Sequence, residues 1–81
     1  MRSREEVFGI VRDALVELFE LDAAQVVPEA RFEDLEIDSI DAVDLVDHLS
    51  RVFGRKVSPQ EFRAVRTVQN LVDTIERLQA Q

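Results

Sequence analysis

Cysteine is absent from the 81 residues, and so are tryptophan and tyrosine. Without cysteine there is no disulfide staple and no thiolate metal site, and the composition suits a reducing compartment, read here as the cytoplasm. Glycine and proline number two each. With so few breakers, and few β-branched residues other than valine, helices are favoured over strands. No apolar run is long enough to span a bilayer, and the opening Met1-Arg2-Ser3-Arg4-Glu5-Glu6 leads into an amphipathic segment, not into a secretory signal core. The most informative absence is local. Between Phe32 and Ser50 there is no lysine or arginine, against seven acids: Glu33, Asp34, Glu36, Asp38, Asp41, Asp44 and Asp47. The other ten acids balance the ten bases, so this one segment carries the whole net charge of -7. It would repel nucleic acid. It would attract a basic protein surface, and its long-range field would speed that encounter.

The length is enough for one small domain over residues 1–81, with a modest core and no room for a deep catalytic cleft. A hydrophobic content of 46% beside 33% charged residues marks a folded chain. Apolar periodicity divides it into four helices. The first covers about residues 3–19 on the stripe Val7, Val11, Ala14 and Leu18, widened by Phe8, Ile10 and Leu15, with Gly9 weakening it slightly. A long connection over roughly residues 20–38 contains Pro28, which argues against continuous helix. Its apolar residues Val26, Val27, Phe32, Leu35 and Ile37 are expected to pin it onto the bundle.

The second helix is expected to start at Asp38-Ser39, both good cap types, with Asp41 completing a capping box in place of the usual Glu or Gln. Its buried stripe is read as Ile40, Val43, Val46, Leu49 and Phe53, and Gly54 stops it. A short third helix runs from Ser58 or Pro59 to Val65, with Phe62 and Val65 toward the core. A last one starts after the cap residue Thr67 and ends near Leu78, on the stripe Val68, Leu71, Val72, Ile75 and Leu78. The fold class is all-α: a four-helix bundle with a long first loop and a short third helix.

The run with chemical meaning is Phe32-Glu33-Asp34-Leu35-Glu36-Ile37-Asp38-Ser39-Ile40-Asp41. A serine sits in the first turn of an acidic helix, where an enzyme can reach its hydroxyl and where the helix N-terminus favours an anion by about 0.3–1 kcal/mol. Alone, Asp-Ser is more often a cap than a modification site, and a charge run is more often a solvated face. The whole pattern, however, resembles the phosphopantetheine attachment site of acyl carrier proteins. That family shows Phe, polar residues, Leu-Gly-x-Asp-Ser-Leu and then an acidic helix. The resemblance extends to Phe53-Gly54, to Val57-Ser58-Pro59 and to Thr67-Val68-Gln69, nearly the whole chain.

The resemblance implies a 4'-phosphopantetheine arm, derived from coenzyme A, on Ser39, carrying acyl intermediates as thioesters. The chain would be no enzyme but the substrate of a phosphopantetheinyl transferase. Its partners would be ketosynthase, acyl-loading and other basic-surfaced enzymes of fatty-acid or polyketide type synthesis. Glu36, Asp38, Ile40, Asp41, Val43, Asp44 and Asp47 are the residues expected to meet those partners. Phe62 and Val65 would line the slot where some members shelter cargo. From the residues, neither a metal site nor a membrane span is expected, and a monomer suits the role.

Departures from the family pattern carry their own expectations. Glu36 stands where glycine is usual, which predicts a different backbone shape before Ser39. Asp47 replaces an apolar contact residue, Arg51 replaces an acid, and Arg55, Lys56, Arg63 and Arg66 make the back half basic. These changes look more like discrete carriers of specialised polyketide or aryl-polyene pathways than a housekeeping fatty-acid carrier. Peptidyl and D-alanyl carriers share the serine and the fold and stay open as alternatives. So does an unmodified acidic helical adaptor. The alternation Asp34, Glu36, Asp38 fails as an EF-hand, because Ser39 and Leu45 stand where that loop needs Gly and a bidentate Glu. His48 shares a helix face with Asp44 but is the only histidine, and it reads as a rim residue.

Overall fold

The structure, a computed structural model, describes residues 3–80. Four α-helices follow in chain order: α1 (Arg4–Phe19), α2 (Ser39–Phe53), α3 (Pro59–Arg63) and α4 (Val68–Gln79). Each begins at a side chain suited to cap it. Ser3 accepts from the Glu6 amide at 3.2 Å, Ser58 from Glu61 at 3.3 Å and Thr67 from Asn70 at 3.1 Å. These bonds satisfy amides that a helix start leaves without partners. Gly54 ends α2 at φ 67, in the left-handed region that glycine enters without steric cost.

α1 lies against both α4 and α2, and α3 lies against α2. The centre is built from Val7, Val11 and Leu15 of α1, Leu45 and Leu49 of α2, and Leu71, Val72 and Ile75 of α4, all nearly or fully shielded from solvent. Arg4 ties the start of α1 to the end of α4 through Asp73 at 2.7 Å and through Glu76. These groups are half-exposed, so the pairs add little beside the buried aliphatic stripe.

Several sequence expectations need correction. The α2 stripe is displaced: Ile40 is 75% exposed and Val43 53%, while Ala42, Leu45, Val46, Leu49 and Phe53 are buried. Leu18 and Val27 also face solvent, and Leu78 is only partly covered. α3 stops at Arg63, two residues before the expected Val65. The long connection contains a 3-10 turn at Ala23–Gln25 that periodicity cannot register in three residues. Its signal was a capping box, since Asp22 accepts from the Ala24 amide and Gln25 Oε1 accepts from the Asp22 amide.

The connection is ordered by two kinds of contact. Val26, Phe32 and Ile37 enter the core. The backbone around Arg31 also runs antiparallel beside Thr67. Phe32 donates to the Arg66 carbonyl at 3.1 Å, Val68 to Ala30 at 3.0 Å and Gln69 to Pro28 at 2.9 Å. The loop is thereby stitched to the entry of α4, which fixes the approach of the chain to α2.

Candidate functional site

Ser39 is the first residue of α2, and its position is set from two sides. Upstream, Ile37 is buried, and its amide donates to the Phe32 carbonyl at 3.0 Å. Between them Glu36 turns the chain at φ 60. That is the left-handed region which favours glycine and which costs an L-residue free energy. The expected change of backbone shape is therefore corrected: the turn keeps a conformation suited to glycine, with glutamate in it.

On the helix side, Asp38 caps α2. Its Oδ1 accepts from the Ile40 amide at 3.0 Å and from the Asp41 amide at 2.9 Å, and Asp41 Oδ2 accepts from the Asp38 amide at 3.4 Å. The two-way box expected from the sequence is present, with aspartate in both places. Ser39 itself is exposed. Its hydroxyl makes no hydrogen bond to another side chain or to backbone among the described residues, and so it stays available to an incoming reagent.

The seven residues expected to meet partners fall into distinct roles. Asp38 and Asp41 spend hydrogen-bonding capacity on the cap. Asp44 is exposed and forms no ion pair among the described residues. Asp47 pairs with Arg51 at 2.8 Å, one turn along the helix. Ile40 and Val43 stand out as exposed apolar side chains on the same helix as these acids. Glu36 is exposed just before the cap. Together they make a surface with charge at its edge and apolar area beside Ser39. His48 is partly covered, and among the described residues no three His, Asp or Glu side chains gather as metal ligands.

Ser39 also lies on the rim of a cleft of about 770 Å³ between α2 and α3. Its apolar lining includes Phe32, Ile37, Val43, Val46, Phe62 and Val65. The rings of Phe32 and Phe62 meet with centroids 5.1 Å apart and tilted by 44°, closing the loop side of the cleft onto α3. Phe62 and Val65 thus line this cleft, the two residues that the family resemblance implied for a cargo slot. Arg31 and Asn70 line it too, and sequence reasoning missed both. Asn70 carried a signal only for capping, because Thr67-x-x-Asn70 forms a box in which Asn70 Oδ1 accepts from Thr67 at 3.3 Å. Arg31 carried none, since its place depends on a backbone pairing with a segment far along the chain. Ser50, late in α2, donates to the Val46 carbonyl at 2.8 Å. It also accepts from the Val57 amide at 2.9 Å, and so it holds the approach to α3 against α2.

The arrangement suits a phosphopantetheine arm. An exposed hydroxyl at a helix N-terminus accepts a phosphodiester without burying its charge, and the adjoining cleft offers apolar walls to whatever the arm bears.

Comparison with known proteins bears on this geometry. A family model described as a phosphopantetheine attachment site matches residues 9–75. Acyl carrier protein 2 of Ralstonia nicotianae is 43% identical over 76 residues, which cover 93% of this chain and 94% of that protein. An acyl carrier protein of Thermotoga maritima is 40% identical over 78 residues, covering 95% of this chain and 96% of the relative. One from Micrococcus luteus is 38% identical over 81 residues, covering 99% and 100%.

Proposed function

This chain belongs to the acyl carrier protein family, and from that premise we propose that Ser39 is the residue that takes its prosthetic group. The family makes the chain a carrier rather than a catalyst, with a covalently attached 4'-phosphopantetheine. When attached, that group supplies a terminal thiol that holds an acyl group as a thioester. The protein's own residues hold the attachment point and present it.

The observation that carries the assignment is the state of Ser39: exposed, without a hydrogen-bond partner among the described residues, and fixed at the first turn of a doubly capped helix. A hydroxyl that no base among the described residues hydrogen-bonds suits the substrate of a separate phosphopantetheinyl transferase. Ser3, Ser50 and Ser58 are each engaged in capping or bridging bonds. Incubation with coenzyme A and a broad-specificity transferase, followed by peptide mapping, tests the site. The added mass is expected on the peptide that contains Ser39 and on no other.

Partner enzymes are read as basic-surfaced, with Asp44, Asp41 and Glu36 facing their Arg and Lys side chains and Ile40 and Val43 adding apolar contact beside the arm. Exposed ion pairs contribute about 0.2–1 kcal/mol each. Such docking is weak and salt-sensitive, which suits a shuttle that must leave each enzyme quickly. The pathway is read as fatty-acid or polyketide type synthesis, served by ketosynthase and acyl-loading partners.

A further inference from the structure

The cleft beside Ser39 is not a purely apolar slot. Arg31, Arg63 and Arg66 all line it, and none of the three forms an ion pair with a described residue. In a chain with 17 acids and only 10 bases, three exposed arginines without ion-pair partners along one cleft stand out. Two lining carboxylates oppose them. Asp38 is committed to the α2 cap next to Ser39, and Glu33 is the other. Arg63 and Arg66 belong to the wall formed by α3 and its exit, across from the α2 wall that bears Ser39, Val43 and Val46.

From this distribution we infer that the cleft selects an acyl chain with an apolar middle and a carboxylate at its far end. Val46, Phe62 and Val65 give the middle of such a chain an apolar surface. The guanidinium groups give its far end charge-assisted donors in a geometry that matches a carboxylate. A neutral alkyl chain of equal length gains the first contact but not the second. The backbone that carries the cations is held in place. Phe32, next to Arg31, donates to the Arg66 carbonyl at 3.1 Å, and the Arg66 amide donates to Asn70 Oδ1 at 3.3 Å.

The inference rests on the assignment of the arm to Ser39, and its test separates the two. The protein is loaded from the matching coenzyme A thioesters with an adipoyl arm, with a hexanoyl arm and with the unacylated arm, and intact mass confirms each product. Thioester cleavage by an added thiol is then timed, and backbone amide shifts are recorded at Arg63, Val65, Arg66 and Asn70. The adipoyl form is expected to be cleaved about three- to fivefold more slowly than the hexanoyl form at low ionic strength, the effect of one partly exposed ion pair. That difference is expected to vanish in 0.5 M salt and in R63Q/R66Q. If the variant does not fold, the salt series on the unaltered protein gives the same reading.

Equal cleavage rates, or better protection of hexanoyl, would overturn the inference while leaving the loaded arm established. Shifts at Arg66 and Asn70 that are already complete with the unacylated arm would overturn it too, by assigning the arginines to the arm's phosphate. Failure of any arm to load on Ser39 would remove the inference together with the reading beneath it.

Discussion

On α2 the Asp47 carboxylate accepts a hydrogen bond from the Arg51 guanidinium at 2.8 Å, and both side chains are well exposed. The pair divides the acidic helix into a part whose charge is free and a part whose charge is already answered. Asp44, one residue past Val43, belongs to the free part. Opposite effects should follow from two single changes. Asp44→Asn is expected to slow arm transfer by a basic transferase about two- to fivefold at low ionic strength, in line with the loss of one exposed pair. Arg51→Gln, which releases Asp47, is expected to speed it. Transfer rates measured across a salt series check both, and a slower Arg51→Gln protein would mean that Arg51 itself touches the enzyme.

The strain at Glu36 leads to a stability prediction. At φ 60 a glutamate is held where glycine would sit freely. Replacing it removes a cost on the order of 1–3 kcal/mol and adds back about 0.4–1 kcal/mol of unfolded-chain entropy. Glu36→Gly is therefore expected to stabilise the fold by about 1 kcal/mol in urea denaturation, without loss of arm attachment. A destabilised variant would show that the Glu36 side chain makes a contact worth more than the strain.

Gly9 offers the converse case. It lies inside α1 with open space around the position a Cβ would take. Gly9→Ala is expected to add about 0.5–1 kcal/mol, a rise of roughly 2–8 °C in Tm for a domain of this size. A calorimetric scan of the two proteins side by side decides it, and an unchanged or lower Tm would contradict it.

The corrected face of α2 separates stability from docking. Leu45 is fully buried, whereas Ile40 is 75% exposed. Leu45→Ala is expected to cost about 2–5 kcal/mol. Ile40→Ser is expected to change stability by less than about 0.5 kcal/mol and yet to slow transfer, because it removes apolar area beside the serine. Denaturation curves paired with transfer rates for both variants make the comparison. A large stability loss for Ile40→Ser would restore that residue to the core.

These residues also show which parts of the molecule can be read from the chain alone. The caps were legible because Asp38, Ser58 and Thr67 act on amides two or three residues away, so type and spacing suffice. The face of α2 was not. Ile40 and Val43 continue an i, i+3 series that Val46 and Leu49 share, yet Leu45 lies roughly 140° around the helix from Ile40. Which of two overlapping stripes faces inward is decided by α1 and α4. The conformation of Glu36 was hidden because the turn is fixed by the buried Phe32 and Ile37 on either side of it. The cleft was the least legible element. Its walls come from three separate segments, and the antiparallel pairing of Arg31 with Thr67 is backbone to backbone, leaving no mark in side-chain pattern.

The central claim, that the arm is carried on Ser39, is tested most directly by intact mass. The unaltered protein and Ser39→Ala are incubated in parallel with coenzyme A and a broad-specificity phosphopantetheinyl transferase, after circular dichroism has shown both to be folded. A gain of one phosphopantetheine in the unaltered protein and none in Ser39→Ala is the predicted result. An equal gain in both would place the arm on another residue, and no gain in either, with more than one transferase, would contradict the carrier role assigned to this serine.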